Sequence, residues 1–170
     1  MEHSTKKLGM MFTIAAWVLA FVLMSLVFTG ILDRMNNPNQ SVNTVDTGKF
    51  REIVLTRNRS GHYLFDGEVN HHKVTFLVDT GATKTAIPGN LQRELGLEAG
   101  PATSVSTANG IATAYLTRID QLGLGGIEMS NVDATIIDNM GGDEVLLGMN
   151  VLKHFELVQR GDKLIIRQYH

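Results

Sequence analysis

Hydrophobic and polar positions divide the chain into three stretches. Residues 8–32 are a run without Asp, Glu, Lys, Arg or His; as a helix it would be about 37 Å long, enough to cross a hydrocarbon core with some tilt. Residues 33–60 turn polar, rich in Asn, Gln, Ser and Thr, with little periodicity before Phe50-Arg51-Glu52-Ile53-Val54-Leu55. The first part reads as a flexible linker, and 50–55 as an added strand or part of a substrate or dimer surface. From Gly61 onward, short apolar runs alternate with turn signals. Residues 62–69, a turn at Asn70-His71-His72 and residues 73–78 predict a hairpin, with Val74, Phe76 and Val78 on one face. Residues 88–96 predict a short helix, with Leu91 and Leu95 on one face and Gly96 as its stop. Further strands are predicted at 105–106, 111–119, 127–129, 132–138 and 145–147. A closing hairpin, 155–159 with 163–167, turns at Arg160-Gly161-Asp162.

This gives four segments: an N-terminus at 1–7, a transmembrane helix at 8–32, a linker at 33–60 and one globular domain at 61–170. A cleaved signal peptide competes with the anchor, but its apolar region is usually only about 7–15 residues and ends in an Ala-x-Ala-like site. Here the run is longer and leads into Thr29-Gly30-Ile31-Leu32-Asp33-Arg34. Lys6 and Lys7 precede the helix, while Arg34 and Lys49 follow it. The positive-inside bias therefore puts the N-terminus in the cytoplasm and the domain outside, in the periplasm of a Gram-negative cell. At 170 residues there is room for one ordinary domain besides the anchor. A net charge of −2 and a pI near 6.3 supply no basic footprint for nucleic acid. Without cysteine there are no disulfides or thiolate metal sites, which leaves the compartment open.

The candidate chemistry lies at Asp79-Thr80-Gly81-Ala82-Thr83, directly after the 73–78 strand. A carboxylate at the end of a buried strand is partly desolvated. Desolvation and a nearby like charge both raise a carboxyl pKa, so one acid can stay protonated while its neighbour, ionised, activates a water. The competing structural reading is a solvated Asp-Thr-Gly turn closing a strand.

Phe76-Leu77-Val78-Asp79-Thr80-Gly81-Ala82-Thr83 resembles the active-site signature of retropepsin-like aspartic proteases. Val145-Leu146-Leu147-Gly148, followed by Met149-Asn150-Val151-Leu152, is similar to that family's hydrophobic-hydrophobic-glycine strand and short helix. Thr107-Ala108-Asn109-Gly110 stands where the family places its mobile flap, and Asn-Gly is a strong hairpin signal. The resemblance covers 61–170 and is greatest to the membrane-anchored bacterial branch. It implies an all-β, retropepsin-like acid protease barrel with a flap hairpin and one or two short helices, preceded by the transmembrane helix. It further implies an aspartic endopeptidase acting on protein or peptide without metal or cofactor. By the same resemblance, Asp79 is catalytic and Thr80 bonds across a dimer. Gly81 and Ala82 belong to the active-site loop, and Thr83 steadies the carboxylate. Thr107, Ala108, Asn109 and Gly110 form the flap, and Leu146, Leu147 and Gly148 support the loop.

One such motif per chain requires two copies of Asp79 across a twofold axis, and hence a homodimer. The other Asp-Thr-Gly, Asp46-Thr47-Gly48, has no apolar strand leading into it and no following Ala-Thr, and reads as linker. His71-His72 reads as a hairpin tip, since neighbours on a strand face opposite ways, and Gly123-Leu124-Gly125-Gly126 as a turn lacking the Lys of a phosphate loop. Two rivals differ in class: a catalytically inactive binding or dimerisation module on the membrane, and a phosphotransfer protein using Asp79 as nucleophile. The intact motif argues against the first; the lack of a second Asp nearby to hold magnesium argues against the other.

Overall fold

The computed structural model describes residues 2–107 and 110–170, with side chains from Gly9 onward. It separates into two compact units, residues 1–35 and 36–170. Helix α1 (Glu2–Asn36) includes a stretch, Gly9–Asn36, long and apolar enough to cross a membrane. Its large apolar side chains, Trp17, Phe21 and Leu26 among them, are exposed.

The second unit is mostly β. Strands β1 (Thr44–Asp46), β2 (Phe50–Thr56), β10 (Glu156–Arg160) and β11 (Lys163–Tyr169) form an antiparallel sheet in the order β1-β2-β11-β10. A second sheet contains β3 (Leu64–Val69), β4 (His72–Val78), β5 (Thr85–Pro88), β6 (Ala102–Thr107), β7 (Gly110–Leu124), β8 (Ile127–Ile137) and β9 (Val145–Leu147). Its order is β3-β4-β9-β5-β8-β7-β6, and β3 also pairs with β7, so six strands close into a barrel and β6 projects beyond it. Closure brings Gly67 against β7: a Cβ there would stand 2.5 Å from the Gly123 carbonyl oxygen, which only glycine avoids. Phe65, Phe76, Ile87, Ile119, Ile136 and Leu147 fill the core and are shielded from solvent.

The β3–β4 hairpin turns through Asn70 and His71, both at positive φ (49° and 66°), the geometry of a two-residue primed turn. Asn70 then ties the turn to the barrel, its Oδ1 accepting from the Asp120 and Gln121 amides and its Nδ2 donating to the Leu95 carbonyl. Residues 127–129 and 132–138, expected as separate strands, fall within one strand, β8, which ends at Ile137. Asn131, at φ 56°, interrupts the pattern without shifting the register: Ile119 faces Val132 and Gln121 faces Ser130. The closing hairpin turns at Gly161 and Asp162 between β10 and β11.

Two expectations are corrected. Residues 88–96 form a 3-10 turn, Gly89–Leu91, followed by further turns instead of a helix; Pro88 completes β5, and Gly96 at φ 63° redirects the chain. Leu95 still points into the core. Residues 36–60 belong to the domain and are not a flexible linker. Asn37 and Asn39 are buried. Asn39 Nδ2 donates to the carbonyls of Thr56 (2.9 Å) and Leu64 (2.6 Å), and its Oδ1 accepts from the Thr56 amide (2.7 Å). Asn37 Nδ2 donates to Asp66 Oδ1, which also accepts from Thr75. A polar composition that resembles solvated loop is therefore consumed by backbone groups that would otherwise be orphaned inside.

Candidate active site

Strand β4 delivers Asp79 to the barrel rim. It runs parallel to β9, with Leu77 opposite Leu146 and Val78 opposite Leu147, and the Asp79 amide extends the pairing by donating to the Leu147 carbonyl (3.1 Å). The chain then turns sharply: Gly81 N–H donates to Asp79 Oδ1 (2.8 Å) and Ala82 N–H to the Asp79 carbonyl (3.3 Å). Asp79 is half-buried, while Thr80, Gly81 and Thr83 are exposed. Among the described residues no cation pairs with its carboxylate.

The far side of the loop rests on α2 (Met149–Leu152), anchored by the buried Val151 and Leu152. The Met149 and Asn150 amides, free at the start of this helix, donate to the carbonyls of Ala82 (2.8 Å) and Thr83 (3.1 Å). Gly148 lies where the returning chain crosses: a Cβ there would meet the Lys84 carbonyl carbon and oxygen at 2.5 Å and the Thr85 nitrogen at 2.9 Å. Leu147 is buried beneath the loop, and half-buried Leu146 pairs with Ala86 of β5. The structure thus assembles Asp79 to Thr83 with Leu146, Leu147 and Gly148 on one support. The sequence reading missed Thr85 and Asn150. Asn150 Oδ1 accepts from the Thr85 amide (2.8 Å) and Thr85 Oγ1 (3.2 Å), and its Nδ2 donates to the Asp133 carbonyl (2.7 Å). A polar residue inside an otherwise apolar 145–152 segment was the signal available for it.

Thr107 and Gly110, expected in a flap, lie at the end of the β6–β7 hairpin, where they face each other and Thr107 Oγ1 donates to the Gly110 carbonyl (2.8 Å). Ala108 and Asn109 lie outside the described residues. Ile111, next to the tip, is 84% exposed.

Asp46 makes the same local turn as Asp79, with Gly48 N–H donating to its Oδ1 at 2.8 Å. Its surroundings differ. Asp46 ends a three-residue edge strand, and its other oxygen is held by Arg51 Nε at 2.9 Å. The Gly48 N–H and the Arg51 guanidinium hold its carboxyl below the ordinary value. A carboxylate so engaged is a poor proton acceptor; its edge strand pairs with β2 alone, whereas both β9 and α2 brace the Asp79 loop.

Residues 65–154, more than half of the chain, match the family described as "gag-polyprotein putative aspartyl protease". The chain belongs to this retropepsin-like family. Among solved structures it is similar to a retropepsin-like aspartic protease from Rickettsia conorii, with 27% identity and a TM-score of 0.59, over 76% of this chain and 96% of that one. It is also 32% identical over 136 residues to an uncharacterised protein encoded in the cobV 5′ region of Sinorhizobium sp., across 76% of this chain. An uncharacterised Rickettsia prowazekii (strain Madrid E) protein is 30% identical over 122 residues, across 69% of the chain. These alignments span 58% and 52% of the two relatives' lengths. The retropepsin-like fold and the barrel class therefore stand as the sequence implied.

Proposed function

We propose that this chain is a membrane-anchored aspartic endopeptidase whose catalytic pair is Asp79 from each of two copies. The observation that carries the reading is the placement of Asp79: half-buried at the end of a barrel strand, in a loop braced by β9 and α2, with no cation pairing its carboxylate among the described residues. Asp46, with the same tripeptide, lacks every one of these supports.

Two carboxylates brought together across a twofold axis cannot both ionise easily, so the pair shares one proton and titrates as a unit. The ionised member takes a proton from a water as its oxygen attacks the peptide carbonyl carbon, and the protonated member gives its proton to the developing oxyanion. Collapse of the tetrahedral species breaks the C–N bond, with a proton passing to the leaving amine. No metal or cofactor enters. The β6–β7 hairpin closes over an extended peptide and excludes water, while Thr80 bonds across the dimer. Helix α1 anchors the chain, with Lys6 and Lys7 on the cytoplasmic side and the protease domain on the periplasmic side of a bacterial inner membrane.

The test is cleavage of a peptide library by full-length protein in detergent, beside an Asp79→Asn control. The variant should retain its circular dichroism spectrum and lose turnover by at least about a thousand-fold. Equal turnover by the two proteins would remove the aspartic-protease reading.

A further inference from the structure

We infer that Asn150 is a positioning residue for the active-site loop, an assignment that rests on the proposed endopeptidase reading and names a further residue of that site. Residues 79–85 are held at one end by the Asp79 amide on Leu147. At the other end the chain enters β5 at Thr85, which is fully buried, so its amide has no water to turn to. The acceptor there is Asn150 Oδ1, which takes both the amide (2.8 Å) and the hydroxyl (3.2 Å) of Thr85.

The orientation of that side-chain amide is determined by its surroundings. Its Nδ2 donates to the Asp133 carbonyl of β8 (2.7 Å), and a flipped amide would set donor against donor at Thr85 and acceptor against acceptor at Asp133. Asn150 thereby spans from β8 to the loop, and its own backbone amide bonds the Thr83 carbonyl. Replacing the side chain leaves that bond and the Met149–Ala82 bond in place. It strands the buried Thr85 donor, so the loop should stay assembled but lose its fixed position. Only five residues separate Asp79 from Thr85, and a catalytic group displaced by about 1 Å can lose about a hundred-fold in rate.

The experiment uses full-length protein in detergent micelles: wild type, Asn150→Ala, Asn150→Asp and Thr85→Val. The substrate is a fluorogenic peptide chosen from a random library by wild-type cleavage, and hydrogen exchange is followed at 79–85 and at β2 and β11. Asn150→Ala should lower kcat by about 10- to 100-fold with KM within about twofold, and speed exchange at 79–85 while β2 and β11 keep wild-type protection. Asn150→Asp, which keeps an oxygen facing Thr85 but sets the other against the Asp133 carbonyl, should recover only part of the lost kcat, and Thr85→Val, which keeps the amide bond to Asn150, should lose less than Asn150→Ala.

Wild-type kcat and loop protection in Asn150→Ala would overturn the inference, as would a loss of protection spread evenly over the domain, which is what a merely structural residue produces. Should Asn150→Ala not fold, Asn150→Asp decides, because it changes the group that joins Thr85 to Asp133: loop-confined loss supports the role and wild-type behaviour overturns it. If wild type cleaves no peptide, it is the endopeptidase reading that fails, and the exchange pattern alone then judges Asn150.

Discussion

Gly148→Ala tests whether the loop and its support are one mechanical unit. At φ −88° the backbone of Gly148 would accept alanine without strain, so the substitution isolates a steric effect. The new Cβ would stand 2.5 Å from the Lys84 carbonyl carbon and oxygen and 2.9 Å from the Thr85 nitrogen, all backbone atoms that cannot rotate aside. Carbon atoms in favourable contact sit about 3.5–4.0 Å apart, so the chain at 84–85 must retreat by roughly 1 Å. Overpacking of this kind costs about 1–3 kcal/mol, equivalent to a fall in Tm of roughly 3–12 °C for a domain of this size. Because the same chain carries Asp79 six residues earlier, a shift of that scale should lower kcat by about a hundred-fold. Differential scanning fluorimetry of the full-length protein in detergent reads the first effect, and peptide turnover under saturating substrate reads the second. Wild-type Tm together with wild-type kcat would refute the close contact of Gly148 with Lys84 and Thr85. A lower Tm with unchanged kcat would uncouple the support from the catalytic loop.

Asn39→Ala should destabilise the domain by about 2–4 kcal/mol, since it strands the Thr56 amide and the Thr56 and Leu64 carbonyls; an unchanged Tm, or no gain in protease sensitivity across 36–60, would contradict the buried strap. Asp46→Asn should leave peptide cleavage intact, and its loss would bring Asp46 back as a catalytic acid. The folded-state pKa of Asp46 is depressed by Gly48 and Arg51, so its stabilising contribution is present above the unfolded value and fades as pH falls through the folded one. Any Tm gap between wild type and Asp46→Asn should therefore close on acidification, and a gap that widened toward low pH would reverse the sign. Specific activity should fall when the full-length protein is diluted among excess detergent micelles, because each chain brings a single Asp79 and the membrane plane otherwise supplies the partner; activity independent of that dilution would mean a complete site within one chain.

The features legible in the sequence are those set by neighbours a few residues apart. The long apolar run gave α1, the alternation of Val74, Phe76 and Val78 gave the strand, and Asp79-Thr80-Gly81 gave the turn with its internal Gly81–Asp79 bond. The hairpins at 70–71 and 161–162 followed from turn chemistry in the same way. Tertiary structure alone decided three things. It placed residues 36–56 inside the domain, where Asn37 and Asn39 meet Asp66, Thr56 and Leu64; their composition is that of a linker because an asparagine reads alike whether it bonds water or a buried carbonyl. It paired β2 with β11, more than a hundred residues onward, joining Glu52 to Arg167 at 2.8 Å. It also set different surroundings for Asp79 and Asp46, which share a tripeptide and a turn: β9 and α2 stand behind the first, and Arg51 pairs with the second. Local pattern fixes backbone conformation over a few residues, whereas burial and hydrogen-bond partners depend on which distant segments fold back, and the chain encodes those through the closed barrel as a whole.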